Sequence, residues 1–161
     1  MSTSTLSALS ITSVPADWLI IGGAIVVLIL IAMYAGSSNV ISLALGSLVA
    51  SSLLPLVPNT VFLSSINTSS DTTMAAVFFA MMFPLTFIFR WMTSAVLGIT
   101  TPIQAILAGV AGAALLLLVW TQTPVLTALW DFGGLIDLIF TEPYRLWVIL
   151  ASLLILSFSK A

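Results

Sequence analysis

Residues 102–120 form an uninterrupted apolar run, PIQAILAGVAGAALLLLVW, in which no side chain carries a formal charge. Small residues recur four apart in it, with Ala105, Gly109 and Ala113 on one stripe and Ala108 and Gly112 beside it. In a bilayer such stripes let helix backbones approach closely, because lipid tails give apolar side chains no hydrophobic reason to associate. The run therefore predicts the central helix of a small integral membrane bundle.

The composition of the whole chain points to the same solvent. Only 5% of its 161 residues are charged, against roughly 25% in soluble domains. In lipid the backbone must satisfy its own polar groups, as helices and closed barrels do. The apolar runs are continuous and of helix length, whereas barrel strands alternate polar and apolar residues. The sequence predicts an all-α integral membrane bundle of four to five transmembrane helices.

The missing residue types limit the chemistry. The chain has no Cys and no His, which removes thiolate nucleophiles, the usual general base at neutral pH and the commonest metal ligands. Every acid falls at a predicted helix end or in a loop. With three basic residues the chain has too few cations to neutralise many phosphates of a nucleic acid. We expect no enzyme activity, no cofactor, no metal and no nucleic-acid partner.

Apolar runs and turn signals divide the chain into segments. A Ser/Thr-rich tail over residues 1–14 precedes a transmembrane hairpin over 15–58, with helix one at about 18–34, a tight turn at 36–39 and helix two at about 40–57. A polar loop covers 59–73. Helices three and four lie within 74–120, the third at about 74–89 with Pro84 in its interior. Thr101 and Pro102 form a start signal for the fourth.

The last part of the chain is less regular. Residues 121–145 mix apolar residues with acids, which favours a segment lying in the membrane interface, opening on a short helix from Thr123 and Pro124 through Trp130. Residues 146–161 contain a short apolar run that predicts a fifth spanning helix, with a re-entrant or interfacial helix as the alternative. Arg145 and Lys160 could snorkel from its two ends.

Two groups of residues are candidates for function. The first are small residues predicted to pack helices together: Ser42, Gly46, Ala50, Ala105, Ala108, Gly109, Gly112 and Ala113. The second are predicted interfacial anchors, by the preference of aromatic and basic side chains for membrane boundaries: Trp18, Tyr34, Arg90, Trp91, Trp120, Arg145 and Trp147. Gln104 is a further candidate for a hydrogen bond between helices.

Five spans would place all five acids on one side and Arg90 and Lys160 on the other, with Arg145 as the exception. Because positive residues prefer the cytoplasmic side, this predicts the N-terminus outside and the C-terminus in the cytoplasm.

The layout resembles the colicin V production protein family of small bacterial inner-membrane proteins. The matching features are Asp17 opening the first apolar run, Gly36 at its end, Ser42 early in the second, and the Ala/Gly-patterned run IQAILAGVAGAALLLL ahead of a polar loop. The resemblance implies a prokaryotic inner-membrane protein with a role around export or envelope maintenance, and it brings no catalytic residues.

These observations favour a non-enzymatic multipass protein that acts as a structural or assembly subunit of a membrane complex. Its expected partners are membrane lipids and either further copies of itself or other membrane-protein subunits. Two alternatives stay open. One is a channel or transporter component, whose path would depend on hydroxyls and Gln104; the other is a virion membrane protein or a holin-like pore former.

Overall fold

The computed structural model describes residues 16–59, 70–93, 101–132 and 142–158, which are mostly helical and contain no strand. The helices are α1 (Ala16–Ala35), α2 (Ser37–Leu53), a 3-10 helix (Leu54–Asn59), α3 (Asp71–Thr93), α4 (Pro102–Gln122), α5 (Pro124–Thr127) and α6 (Glu142–Phe158). The all-α prediction is confirmed. Within the described ranges, four helices are long and apolar enough to cross a membrane: Ala16–Ala35, Ser37–Val57, Asp71–Thr93 and Pro102–Gln122.

The turn between α1 and α2 is shorter than predicted. Gly36 alone separates the helices, and its φ of 91° is a conformation that glycine adopts without a steric penalty. Ser37 and Ser38, placed in the turn by the sequence, instead lie in the first turn of α2. There the Asn39 backbone N–H donates to the Gly36 carbonyl at 3.1 Å.

Other helix ends also differ from the sequence prediction. α2 ends at Leu53. The chain then continues as the 3-10 helix Leu54–Asn59, which contains Pro55. α3 begins at Asp71 rather than Met74, because a carboxylate in the first turn meets the positive end of the helix dipole. The same helix continues through Pro84 without a break in its assignment.

The sequence prediction is less accurate for the bounds of the C-terminal helices α5 and α6. α5 ends at Thr127, where helix was expected as far as Trp130. α6 begins at Glu142 rather than 146, within the segment assigned to the interface. Pro143 lies in its first turn, where the missing proline N–H costs no helical hydrogen bond.

α4 begins where the sequence predicts, and its start is capped on both sides. The Gln104 backbone N–H donates to Thr101 Oγ1 at 3.4 Å, and the Thr101 backbone N–H donates to Gln104 Oε1 at 3.0 Å. This is a capping box, in which two otherwise unpaired N–H groups are satisfied reciprocally. The Gln104 carbonyl oxygen therefore serves the end of its own helix.

α4 is the centre of the bundle. It packs against α1, α2 and α6, whereas α3 packs on α2 and the short α5. The buried apolar cluster shared by the central helices contains Leu28, Ala32, Val40, Ile41, Ala44, Ala105, Ala108, Ala111, Ala113, Leu115 and Leu156.

The contacts between helices give their relative directions. α1 runs antiparallel to α4, because Ile29 lies against Gly109 while Ile21, nearer the start of α1, clusters with Trp120. α2 runs parallel to α4, since Val40 lies against Gly112 and later residues of α2 cluster with the last turns of α4. α1 and α2 are thus an antiparallel hairpin.

Candidate functional site

The small residues of α2 face α3. An added Cβ at Gly46 would lie 2.6 Å from Thr86 Oγ1 and 3.1 Å from Thr86 Cα. About one turn nearer the start of α2, Ser42 Oγ and Thr93 Oγ1 are 2.9 Å apart in a hydrogen bond. These two contacts run in opposite directions along the helices, so α2 and α3 are antiparallel. Ala50 continues the face, fully buried beside Phe78 in a second cluster.

The glycines of α4 contact two different helices, α1 and α2. A Cβ at Gly109 would lie 2.8 Å from both the Cα and the N atom of Ile29, so the backbones of α1 and α4 are in direct contact. A Cβ at Gly112 would overlap Val40 Cγ1 of α2. Real Cβ atoms essentially never come this close to another atom, so any residue other than glycine would force the neighbouring helix to shift.

The alanines of the predicted α4 face are buried with the glycines. Ala105, Ala108 and Ala113 are each at most 2% exposed. Ala111, which the four-residue pattern does not include, is equally buried. The small faces of α2 and α4 are therefore occupied by helices of the same chain.

Sequence reasoning missed the partners of these small residues. Ile29, Val40, Thr86 and Thr93 lie opposite them, and none belongs to a pattern that singles it out. The hydrogen bond between Ser42 and Thr93 pairs two hydroxyls that are 51 residues apart, a separation that periodicity cannot relate.

Most predicted anchors lie on the outside of the bundle near its two ends. The strongly exposed ones are Trp18 at the start of α1, Tyr34 at its end, Arg90 and Trp91 at the end of α3, and Trp147 early in α6. Such positions suit aromatic and basic side chains at the boundary of a bilayer.

Trp120 is placed differently. Its Nε1 donates to the Trp130 carbonyl at 2.9 Å, and its ring packs edge-on against Phe132 with the centroids 6.0 Å apart. Trp130 in turn donates through Nε1 to Asp17 Oδ1 at 3.2 Å. Two indole N–H groups thus tie residues 130–132 to the end of α4 and the start of α1.

The charged residues that the structure describes lie at the two ends of the bundle. Asp17 and Asp71 open α1 and α3, and Asp131 follows α5, so all three lie at what we call the acidic end, where α4 finishes. Arg90 lies in the last turn of α3 at the opposite end. Arg145 belongs to the acidic end, where its guanidinium donates to Gln122 Oε1. Asp137 and Lys160 lie outside the described residues, as does the side chain of Glu142.

Among the described residues no group of three or more acidic side chains could hold a metal ion. Two buried hydroxyls bond within their own helices: Ser47 Oγ donates to the Ala44 carbonyl at 2.8 Å and Thr123 Oγ1 to the Val119 carbonyl at 2.7 Å. Such bonds satisfy a hydroxyl inside an apolar bundle.

Comparison of the chain with protein-family models, with curated proteins and with solved structures gave no match. The resemblance to colicin V production proteins therefore stays a prediction.

Proposed function

We propose that this chain is a non-enzymatic multipass membrane protein that acts as a structural or assembly subunit of a membrane complex. The observation that carries the proposal is the outer surface of α3. Phe83, Phe87 and Trp91 recur every fourth residue on this helix and are 73–80% exposed. We call them the α3 aromatic ridge.

The ridge lies on the exposed side of α3. α3 contacts α2 and α5, and of its 23 residues Ala75 and Phe78 alone are buried. Aromatic residues provide a large contact area and are enriched at protein interfaces. In contrast, the small-residue faces are filled by helices of the same chain, so contacts with other subunits would use the ridge.

The second proposed element is the orientation in a prokaryotic inner membrane. The start of α1 and the rest of the acidic end would face outward, and Arg90 would face the cytoplasm, in line with the preference of positive residues for that side. α6 would be a fifth span. Its 17 residues reach about 26 Å at 1.5 Å per residue, somewhat less than the roughly 30 Å hydrocarbon core, and they pack along α4.

The hydroxyls of Ser47 and Thr123 favour this proposal over a channel or transporter component. A conducting path needs polar groups turned toward water, whereas Ser47 and Thr123 are bonded to carbonyls of their own helices. A measured ion conductance of the purified protein in bilayers would support the channel instead.

The subunit proposal is tested by site-directed crosslinking in native membranes. Because the chain has no native cysteine, Phe83→Cys and Phe87→Cys variants carry a single thiol on the ridge. Val26→Cys on α1, where Val26 is 56% exposed, is the matched control. We expect a crosslinked product of defined mass from the ridge variants and none from the control. Monomer alone from all three variants, with a monomer mass in mild detergent, would refute the proposal.

A further inference from the structure

A cavity with a mixed polar and apolar lining opens at the acidic end, where α2, α4 and α6 meet. It has a volume of about 220 Å³, and its polar lining comes from Ser51, Ser52, Gln122, Thr123 and Arg145. That volume is well above the roughly 10–15 Å³ that one water needs. Because α2 and α4 end here and α6 begins, the cavity lies at the level where a lipid headgroup would meet the bundle.

The cavity contains hydrogen-bond donors that the described protein does not use. Gln122 Oε1 accepts from Arg145, but Gln122 Nε2 is buried and has no hydrogen-bond partner among the described residues. A buried amide N–H without a partner is unfavourable, so a partner is expected from elsewhere.

Each hydroxyl that lines the cavity already donates a hydrogen bond to a backbone carbonyl. Ser51 and Ser52 both donate to the Leu48 carbonyl, at 2.8 and 3.0 Å, and Thr123 donates to the Val119 carbonyl. The donors left for a ligand are therefore the Gln122 amide and the guanidinium of Arg145. A guanidinium carries five N–H donors in a planar fork, and the bond to Gln122 uses one of them.

We propose that this cavity binds a phosphate group, supplied either by a phospholipid headgroup or by free inorganic phosphate. A phosphate presents several acceptor oxygens that an arginine fork can engage in two parallel hydrogen bonds. The described acids of this end, Asp17, Asp71 and Asp131, do not line the cavity, so recognition depends on short-range hydrogen bonds at Arg145 and Gln122.

The test uses the full chain in mild detergent with three probes. These are dioctanoyl phosphatidylglycerol, dioctanoylglycerol, which has the same chains without phosphate, and inorganic phosphate. Binding is measured by native mass spectrometry and by the shift in unfolding temperature. Arg145→Gln removes the fork. Gln122→Glu keeps an oxygen that accepts from Arg145 but replaces the amide donor with a negative charge. Arg90→Gln, at the opposite end, is the matched control.

We expect a phosphate-bearing probe to bind the wild type and Arg90→Gln equally, and to bind Arg145→Gln and Gln122→Glu more weakly by at least about tenfold, the lower end of the range for one hydrogen bond to a charged group. Dioctanoylglycerol should not distinguish the variants. A variant-dependent effect of inorganic phosphate identifies the free ion as sufficient, and an effect of the phospholipid alone identifies a lipid site. Equal binding by all four proteins, or no binding of either phosphate-bearing probe to the wild type, would overturn the proposal.

Discussion

Gly109 in α4 rests on the backbone of Ile29 in α1, so closely that a methyl group at Gly109 would lie 2.8 Å from Ile29 Cα. In a bilayer this contact replaces the hydrophobic effect as a reason for two helices to associate, because dispersion forces act over many atoms at short range.

The first prediction concerns this contact. Gly109→Ala should destabilise the protein by about 1–3 kcal/mol, as overpacking does, because the Cα and N atoms of Ile29 obstruct the added methyl group along with Ile29 Cγ1, and backbone atoms cannot rotate away. Gly23→Ala is the matched control, since an added Cβ there meets nothing within 4 Å. That variant should be neutral or slightly more stable, because alanine favours the helix over glycine. The free energy of unfolding in mixed micelles measures both, and equal values for the two variants would contradict the packing described.

The second prediction separates backbone contacts from side-chain contacts. At Gly112 the obstructing atom is Val40 Cγ1, with the next atom at 3.9 Å. Gly112→Ala should therefore be rescued by Val40→Ala in the same chain, because that change removes the clashing methyl. Gly109→Ala combined with Ile29→Ala should stay destabilised. Double-mutant cycles of unfolding free energies test the difference, and rescue of both pairs would show that neither is a backbone contact.

The third prediction concerns the indole that connects residues 130–132 to α1. Trp130→Phe keeps most of the ring but loses the donor to Asp17 Oδ1. We expect a loss of about 1 kcal/mol, the usual net value of one hydrogen bond, and greater protease sensitivity after α5. Trp147→Phe, an exposed ring on α6, is the control and should leave both measurements unchanged. An equal effect of the two substitutions would exclude a specific role for the Trp130 N–H.

The fourth prediction concerns orientation. Asp71→Cys places a thiol at the acidic end and Met92→Cys places one at the Arg90 end, both at exposed positions. In intact cells a membrane-impermeant maleimide should label the Asp71→Cys variant and should reach the Met92→Cys variant only after lysis. The reverse pattern would invert the proposed topology, while labelling of both in intact cells would show that α3 does not cross the membrane.

Some features of the fold follow from local sequence and others do not. The start of α4 was predictable because Thr101, Pro102 and Gln104 form a local capping signal. The single-residue turn at Gly36 was not, because it depends on a φ of 91° that neighbouring serines gave no reason to expect. Likewise the start of α6 was missed because Glu142 and Pro143 read as a polar connector.

In the candidate site, too, local sequence predicts some features and not others. A four-residue period shows which small residues share a face of a helix, as for Ala105 and Gly109, but not which helix they meet. Trp120 at the end of an apolar run is typical of an interfacial anchor. Its hydrogen bond to the Trp130 carbonyl arises only because the chain after α4 folds back, which no local pattern encodes.

We expect α4 to lie in lipid with one side buried against its neighbours. Spin labels at single cysteines along α4 test it directly in liposomes, through collisions with oxygen and with a polar nickel reagent. Labels replacing Ile106 and Val110, which are 47% and 45% exposed, should collide with oxygen far more often than labels replacing Ala111 and Leu115, which are buried. The nickel reagent should reach none of the four. Nickel collisions at these positions, or oxygen collisions equal at all of them, would contradict the account.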